Sequence, residues 1–218
     1  FIFTANPEDY TNRGSIVTPL KDRIGSQIIT HYPHSLNIAK KITQQESKIF
    51  DSEIYVPELA KDLIEEINFA ARKSEFVDFK SGVSARMSIT AYENLISTAK
   101  RRMLINNEKN TSIRLSDFTG IIPSINGKIE LVYEGEEQGA DNISFDLINE
   151  GVKNIFLKYF PEISKLQKPN QTDDYDQIIT WFVENNKELF IGDEFSNKEY
   201  QIAIDEIKPI NKLITKYC

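Results

Sequence analysis

The sequence predicts a mainly α-helical protein that opens with a small α/β segment and closes with a helical extension. Three observations lead there. From residue 34 onward, apolar residues recur every three or four positions, the period of a helix with one buried face. Before that, two short apolar or β-branched runs, IFTA at residues 2–5 and QIITHY at 27–32, each stop near a proline, as short strands do. Beyond residue 126, amphipathic stretches resume between Gly, Asp and Pro punctuation. The expected divisions are therefore 1–33, 34–126 and 127–218.

The elements follow in order. IFTA ends at Asn6-Pro7, and IVTPLKDRIG has Pro19 to open a short helix and Gly25 to close it before the second strand. HSLNIAKKITQQES groups Leu36, Ile38, Ala39 and Ile42 on one side of a helix. VPELAKDLIEEINFAARK repeats Leu59, Leu63, Ile67 and Ala70, with Pro57 in its first turn. SITAYENLISTAKRRMLINNE is a third helix, with Ser88 as the expected N-cap. A stretch broken by Gly and Pro predicts a short helix, a tight turn at Asn126-Gly127 and a strand in KIELVY. Three more helices are expected: SFDLINEGVKNIFLKYF capped by Ser144, DDYDQIITWFVENN with Trp181 as core anchor, and SNKEYQIAIDEIKPINKLITKY capped by Ser196 and kinked or broken before Pro209.

A chain of 218 residues is long enough to bury roughly 70% of its unfolded surface. No apolar run approaches the roughly 20 residues that cross a bilayer, so no membrane partner is expected. The formal charge of −7 argues against a nucleic-acid partner, since that grip rests on Lys and Arg displacing counterions. Lys100-Arg101-Arg102 is a local basic run, read as a solvated stripe. The single cysteine, Cys218, has no internal partner, which predicts a reducing, cytoplasmic setting. The chain begins FIFTANPEDY without an initiator Met, which leads to the expectation of further sequence upstream. His31 and His34 have no nearby Cys or acidic cluster and are expected to hold no metal.

Two residues in the opening segment carry possible chemistry. Asn6 places an amide where a buried strand emerges, the usual ligand-binding rim of an open α/β sheet. The alternative is that Asn-Pro only starts a turn. Arg23, in PLKDR, is a guanidinium that a short exposed helix can present to a phosphate, whose oxygens its planar fork matches. The alternative is a surface ion pair with Asp22.

Taken together, FIFTANPEDYTNRG and TPLKDRIGSQIITHYP closely resemble a stretch of the magnesium-chelatase and MoxR branch of AAA+ ATPases. There a hydrophobic strand ends in Asn-Pro-Glu and a Leu-x-Asp-Arg-x-Gly follows. The resemblance implies that Asn6 is sensor 1, which orients the attacking water, and that Arg23 is the arginine finger. Arg13 becomes a further basic contact to the cofactor. GVSARMSITAYENLISTAKRRM extends the likeness, since a Ser-x-Arg ahead of the third lid helix supplies the sensor-2 arginine in that family, and Ser84-Ala85-Arg86 fits. A cation at a helix N-terminus faces an unfavourable dipole, which gives Arg86 a mild independent mark of function.

The resemblance also implies a fold, an α/β core remnant followed by a helical lid, and a ring oligomer that binds ATP with Mg²⁺ and remodels a client protein. No G-x-x-x-x-G-K-[ST] loop occurs in the sequence, and no acidic pair precedes the first strand. The chain alone is therefore expected to hold no nucleotide and to hydrolyse none. Without the strand that would lie between them, the two runs in 1–33 are expected to be repositioned, paired elsewhere or mobile. The rival expectation is a helical interaction module carried by an ATPase, with its client surface after residue 116.

Overall fold

The computed structural model describes residues 1–2, 4, 19, 22–49, 51–78, 81–162, 175–185 and 188–217. Within these the protein is mainly helical. A first helix, α1 (Leu36–Glu46), starts at Ser35, whose Oγ accepts the amide of Ile38 at 3.4 Å. Ala39 and Thr43 are its buried face, and Ile38 is half exposed. The two-residue strand β1 (Ile54–Tyr55) leads into α2 (Glu58–Lys73), which Pro57 opens as predicted. The long helix α3 (Arg86–Ile105) follows, and β2 (Thr111–Ser112) pairs with β1 in parallel, Ile54 opposite Thr111.

A 3₁₀ turn (Leu115–Ile121) runs into α4 (Ile122–Asn126), and α5 (Tyr133–Gln138) precedes α6 (Ala140–Tyr159). The extension then supplies α7 (Asp176–Asn185), α8 (Asn197–Asp205) and α9 (Lys208–Tyr217). Ser196 closes a capping box with Glu199, and the chain breaks at Glu206-Ile207 so that Pro209 falls in the first turn of α9, where its missing N–H costs nothing.

One apolar core joins α2, α3, the 3₁₀ turn, α4 and α6, with Leu63, Ile67, Leu95, Ile121, Ile125 and Ile143 at its centre. It crosses residue 126, because α6 lies along α2. Gly151 makes that approach possible: a Cβ there would stand 2.9 Å from Ile67 Cγ1 and 3.0 Å from Leu63 Cδ1.

Several local expectations are corrected. Residues 27–32 form no strand; among the described residues none pairs with them to complete a ladder. By contrast, Pro19 is helical, as expected of the short helix it opens; residues 20–21 lie outside the described set, and Asp22 and Arg23 form a turn. The KIELVY stretch yields a single antiparallel bridge, Val77 with Leu131, before the chain turns helical at Tyr133. Ser88 and Ser144 lie inside their helices rather than at the caps, each fully buried and bonded to another helix or turn. Trp181 is half-buried, edge-on to Phe182, on a helix with no fully buried residue among those described.

Candidate functional site

The connection between α2 and α3 is built to present the first residue of α3. Gly82 has φ +66°, a left-handed backbone that suits glycine. Val83 is buried in the core, and its carbonyl accepts the Nε of Arg72 at 3.1 Å. The carbonyl of Ser84 accepts the amide nitrogen of Asn68 at 3.4 Å, and the Ser84 hydroxyl accepts the backbone N–H of Arg86 at 3.2 Å. Serine thus satisfies one of the helix's free first-turn donors. Arg86 stands exposed at that end, as the first residue of the helix rather than just ahead of it.

Beneath this connection lies a buried polar cluster that the sequence did not announce. Glu65 on α2 is 3% exposed and accepts two hydroxyls, Thr43 of α1 at 2.6 Å and Ser88 of α3 at 2.8 Å. Ser88 in turn accepts from Asn68 at 2.7 Å. Burial pushes the Glu65 carboxyl above its ordinary pKa; the two hydroxyls, then Arg72 and Lys40, pull the other way. The cluster pins α1, α2 and the first turn of α3 to one another, so it fixes the platform on which Arg86 sits.

The segment before α1 reaches the same place. Tyr32 lies under the guanidinium of Arg72, 4.2 Å from its ring centre. Arg23 is exposed in its turn, and among the described residues no hydrogen bond or ion pair joins it to Arg86. Asn6 and Arg13 lie outside the described residues.

A second feature is a large groove of about 1,090 Å³ where β1, β2, the start of α2, the second half of α6 and α8 meet. Tyr55, Leu59, Phe118, Phe156 and Tyr159 make it largely apolar. Arg114 stands at one wall, bonded through Nη1 to the carbonyl of Phe195 (2.6 Å) and through Nη2 to Asn197 (2.8 Å), with its plane 4.3 Å from the Tyr200 ring. Leu59, expected in the core, is half exposed and lines this groove.

The basic run splits three ways. Lys100 pairs with Asp51 and Arg101 with Glu194, but Arg102 is buried and holds Asp117, Thr111 and the carbonyl of Ser112. The expectation of a solvated stripe fails for Arg102. It follows Ala99 by three positions and Leu95 by seven, which puts it on the buried face of α3.

No family model, no curated protein and no solved structure matches this chain.

Proposed function

We propose that this chain is the sensor-and-lid portion of a AAA+ ATPase of the magnesium-chelatase and MoxR branch, in which ATP hydrolysis drives remodelling of a partner protein. One observation supports the reading above the motif resemblance: Arg86 is an exposed cation set at a helix N-terminus, and four buried or half-buried residues, Glu65, Asn68, Arg72 and Ser88, hold the connection that presents it. An unopposed helix dipole disfavours a cation there, whereas a phosphate would favour both. Exposed guanidinium groups at Arg23 and Arg86 suit phosphate oxygens in charge and in donor geometry.

In the assembled ring, ATP with Mg²⁺ sits between subunits, held by a phosphate-binding loop that is not in this sequence. Asn6 and Arg86 act on the nucleotide of their own subunit, and Arg23 acts on that of the next. The test is ATP turnover by the chain joined to its encoded upstream sequence. Arg23→Ala should lower turnover about a thousandfold or more, as loss of an arginine finger does. Unchanged turnover would overturn the reading.

The groove favours a second reading, in which the extension is a client-binding module and the nucleotide part only its carrier. The groove is concave and lined mostly by apolar and aromatic side chains, the character of a surface that takes up a partner's apolar groups. The same assay separates the two, because the carrier reading predicts that Arg23→Ala barely changes ATP turnover.

A further inference from the structure

Arg72 stands on the last turn of α2, and its guanidinium touches three parts of the chain at once. Nε donates to the carbonyl of Val83, three residues before Arg86. The same group lies 4.2 Å from the centre of the Tyr32 ring and 5.5 Å from that of Phe69. The Tyr32 phenol points at Gly82, so close that a Cβ on residue 82 would stand 2.4 Å from the oxygen. Tyr32 is thus seated between Arg72 and the left-handed turn that begins the connection to α3.

This seat has mechanical consequences. Residues 26–33 belong to no sheet, so the stack is a specific contact that ties them to the helical domain. Arg72 is half-buried and desolvated, a state in which a guanidinium binds an aromatic face and a carbonyl more firmly than it does in water. Moving Tyr32 deprives Arg72 of the nearer of its two aromatic faces and leaves only the more distant Phe69 ring. Arg72 then loosens its hold on Val83, which leaves the carbonyl of Ser84 bonded to Asn68 and the first turn of α3 held through Ser88 by Asn68 and Glu65.

We infer that the Tyr32–Arg72 stack is a coupling joint: Arg72 is a positioning residue for Arg86, so the direction of the Arg86 side chain follows the placement of the segment that carries Arg23 and Tyr32. The inference rests on the reading of Arg86 as a nucleotide-sensing arginine. Arg72 itself touches no nucleotide in this scheme.

Two measurements test it. The first is ATP hydrolysis, with KM and kcat separated, by the chain joined to its encoded upstream sequence. Tyr32→Ala and Arg72→Lys are each expected to lower kcat/KM roughly five- to tenfold, a typical coupling between two sites. Tyr32→Phe keeps the ring and is expected to retain wild-type kinetics. In an Arg86→Ala background neither change should lower activity further, because both act through that side chain. Losses that multiply with Arg86→Ala, or full activity in Tyr32→Ala and Arg72→Lys, would overturn the joint while leaving the role of Arg86 standing. An Arg86→Ala protein as active as wild type would remove the nucleotide reading and the inference with it.

The second measurement needs only the 218-residue chain. Amide exchange in Tyr32→Ala is expected to rise across residues 83–87 and to stay unchanged in the middle of α2 and α6. Unchanged exchange across 83–87 would sink the joint whatever the kinetics show. Tyr32 is half exposed, so its truncation leaves the apolar core whole.

Discussion

Arg102 and Asp117 form a two-pronged ion pair inside the protein, Nε to Oδ1 at 3.1 Å and Nη2 to Oδ2 at 2.9 Å, with both side chains 2% exposed. Asp117 Oδ2 also accepts the backbone N–H of Arg114 at 2.7 Å, so the same carboxylate starts the 3₁₀ turn and neutralises the arginine of α3. The remaining Arg102 donors reach β2, which anchors the small sheet.

Asp117→Ala leaves a guanidinium buried without its counter-ion, and the expected loss is about 3–5 kcal/mol. Urea unfolding should show it as a lower midpoint. The double change Arg102→Met with Asp117→Leu should recover part of that loss, because no charge then remains buried. By contrast Arg101→Ala, whose pair with Glu194 is exposed, should alter stability by under about 1 kcal/mol.

Arg114→Ala should free the segment around α8 and leave the main core folded. The substitution removes the bonds to Phe195 and Asn197 and the stack on Tyr200. Limited proteolysis is expected to cut faster within 188–205 while the unfolding midpoint of the core changes little. Wild-type resistance there would show that Asn197 and its bonds to Glu108 and Asn110 suffice alone.

Glu65 sets a pH dependence. Its folded pKa lies above the ordinary value of about 4.3, so the native state prefers the proton. The stability this group contributes is complete below the ordinary glutamate value and is lost as pH rises through the folded one. Thermal melts from acid toward neutral pH should therefore show wild type losing ground against Glu65→Gln, which cannot ionise. A difference that stays constant with pH would refute this assignment.

Gly151 should not accept a large side chain. Leucine there must displace Ile67 and Leu63 from the α2–α6 contact, and overpacking of this kind costs about 1–3 kcal/mol. Gly151→Leu should lower the denaturation midpoint, with α2 and α6 the first helices to exchange their amides.

Much of the helical plan was written in the sequence. Pro57 opens α2, Ser196 with Glu199 opens α8, and the period of Leu63, Ile67, Leu95 and Ala99 marks two buried faces. These are local features, a missing N–H, a hydroxyl at the right offset and a period of 3.6, and they act over a few residues of chain. Arg86 was singled out by the resemblance of Ser84-Ala85-Arg86 to a family motif, and the expectation that set it just ahead of α3 missed by a position, since the helix begins at Arg86 itself.

Tertiary structure alone decided the rest. Serine at 88 reads as a cap, but Glu65, 23 positions earlier in the chain, draws its hydroxyl into the interior. Arg102 reads as a surface cation until Asp117 is placed beside it, and Tyr32 reads as the end of a strand until Arg72 provides a face to stack on. A buried charge or a lone aromatic ring is tolerable only when its partner arrives from elsewhere in the fold, and no local pattern specifies that arrival.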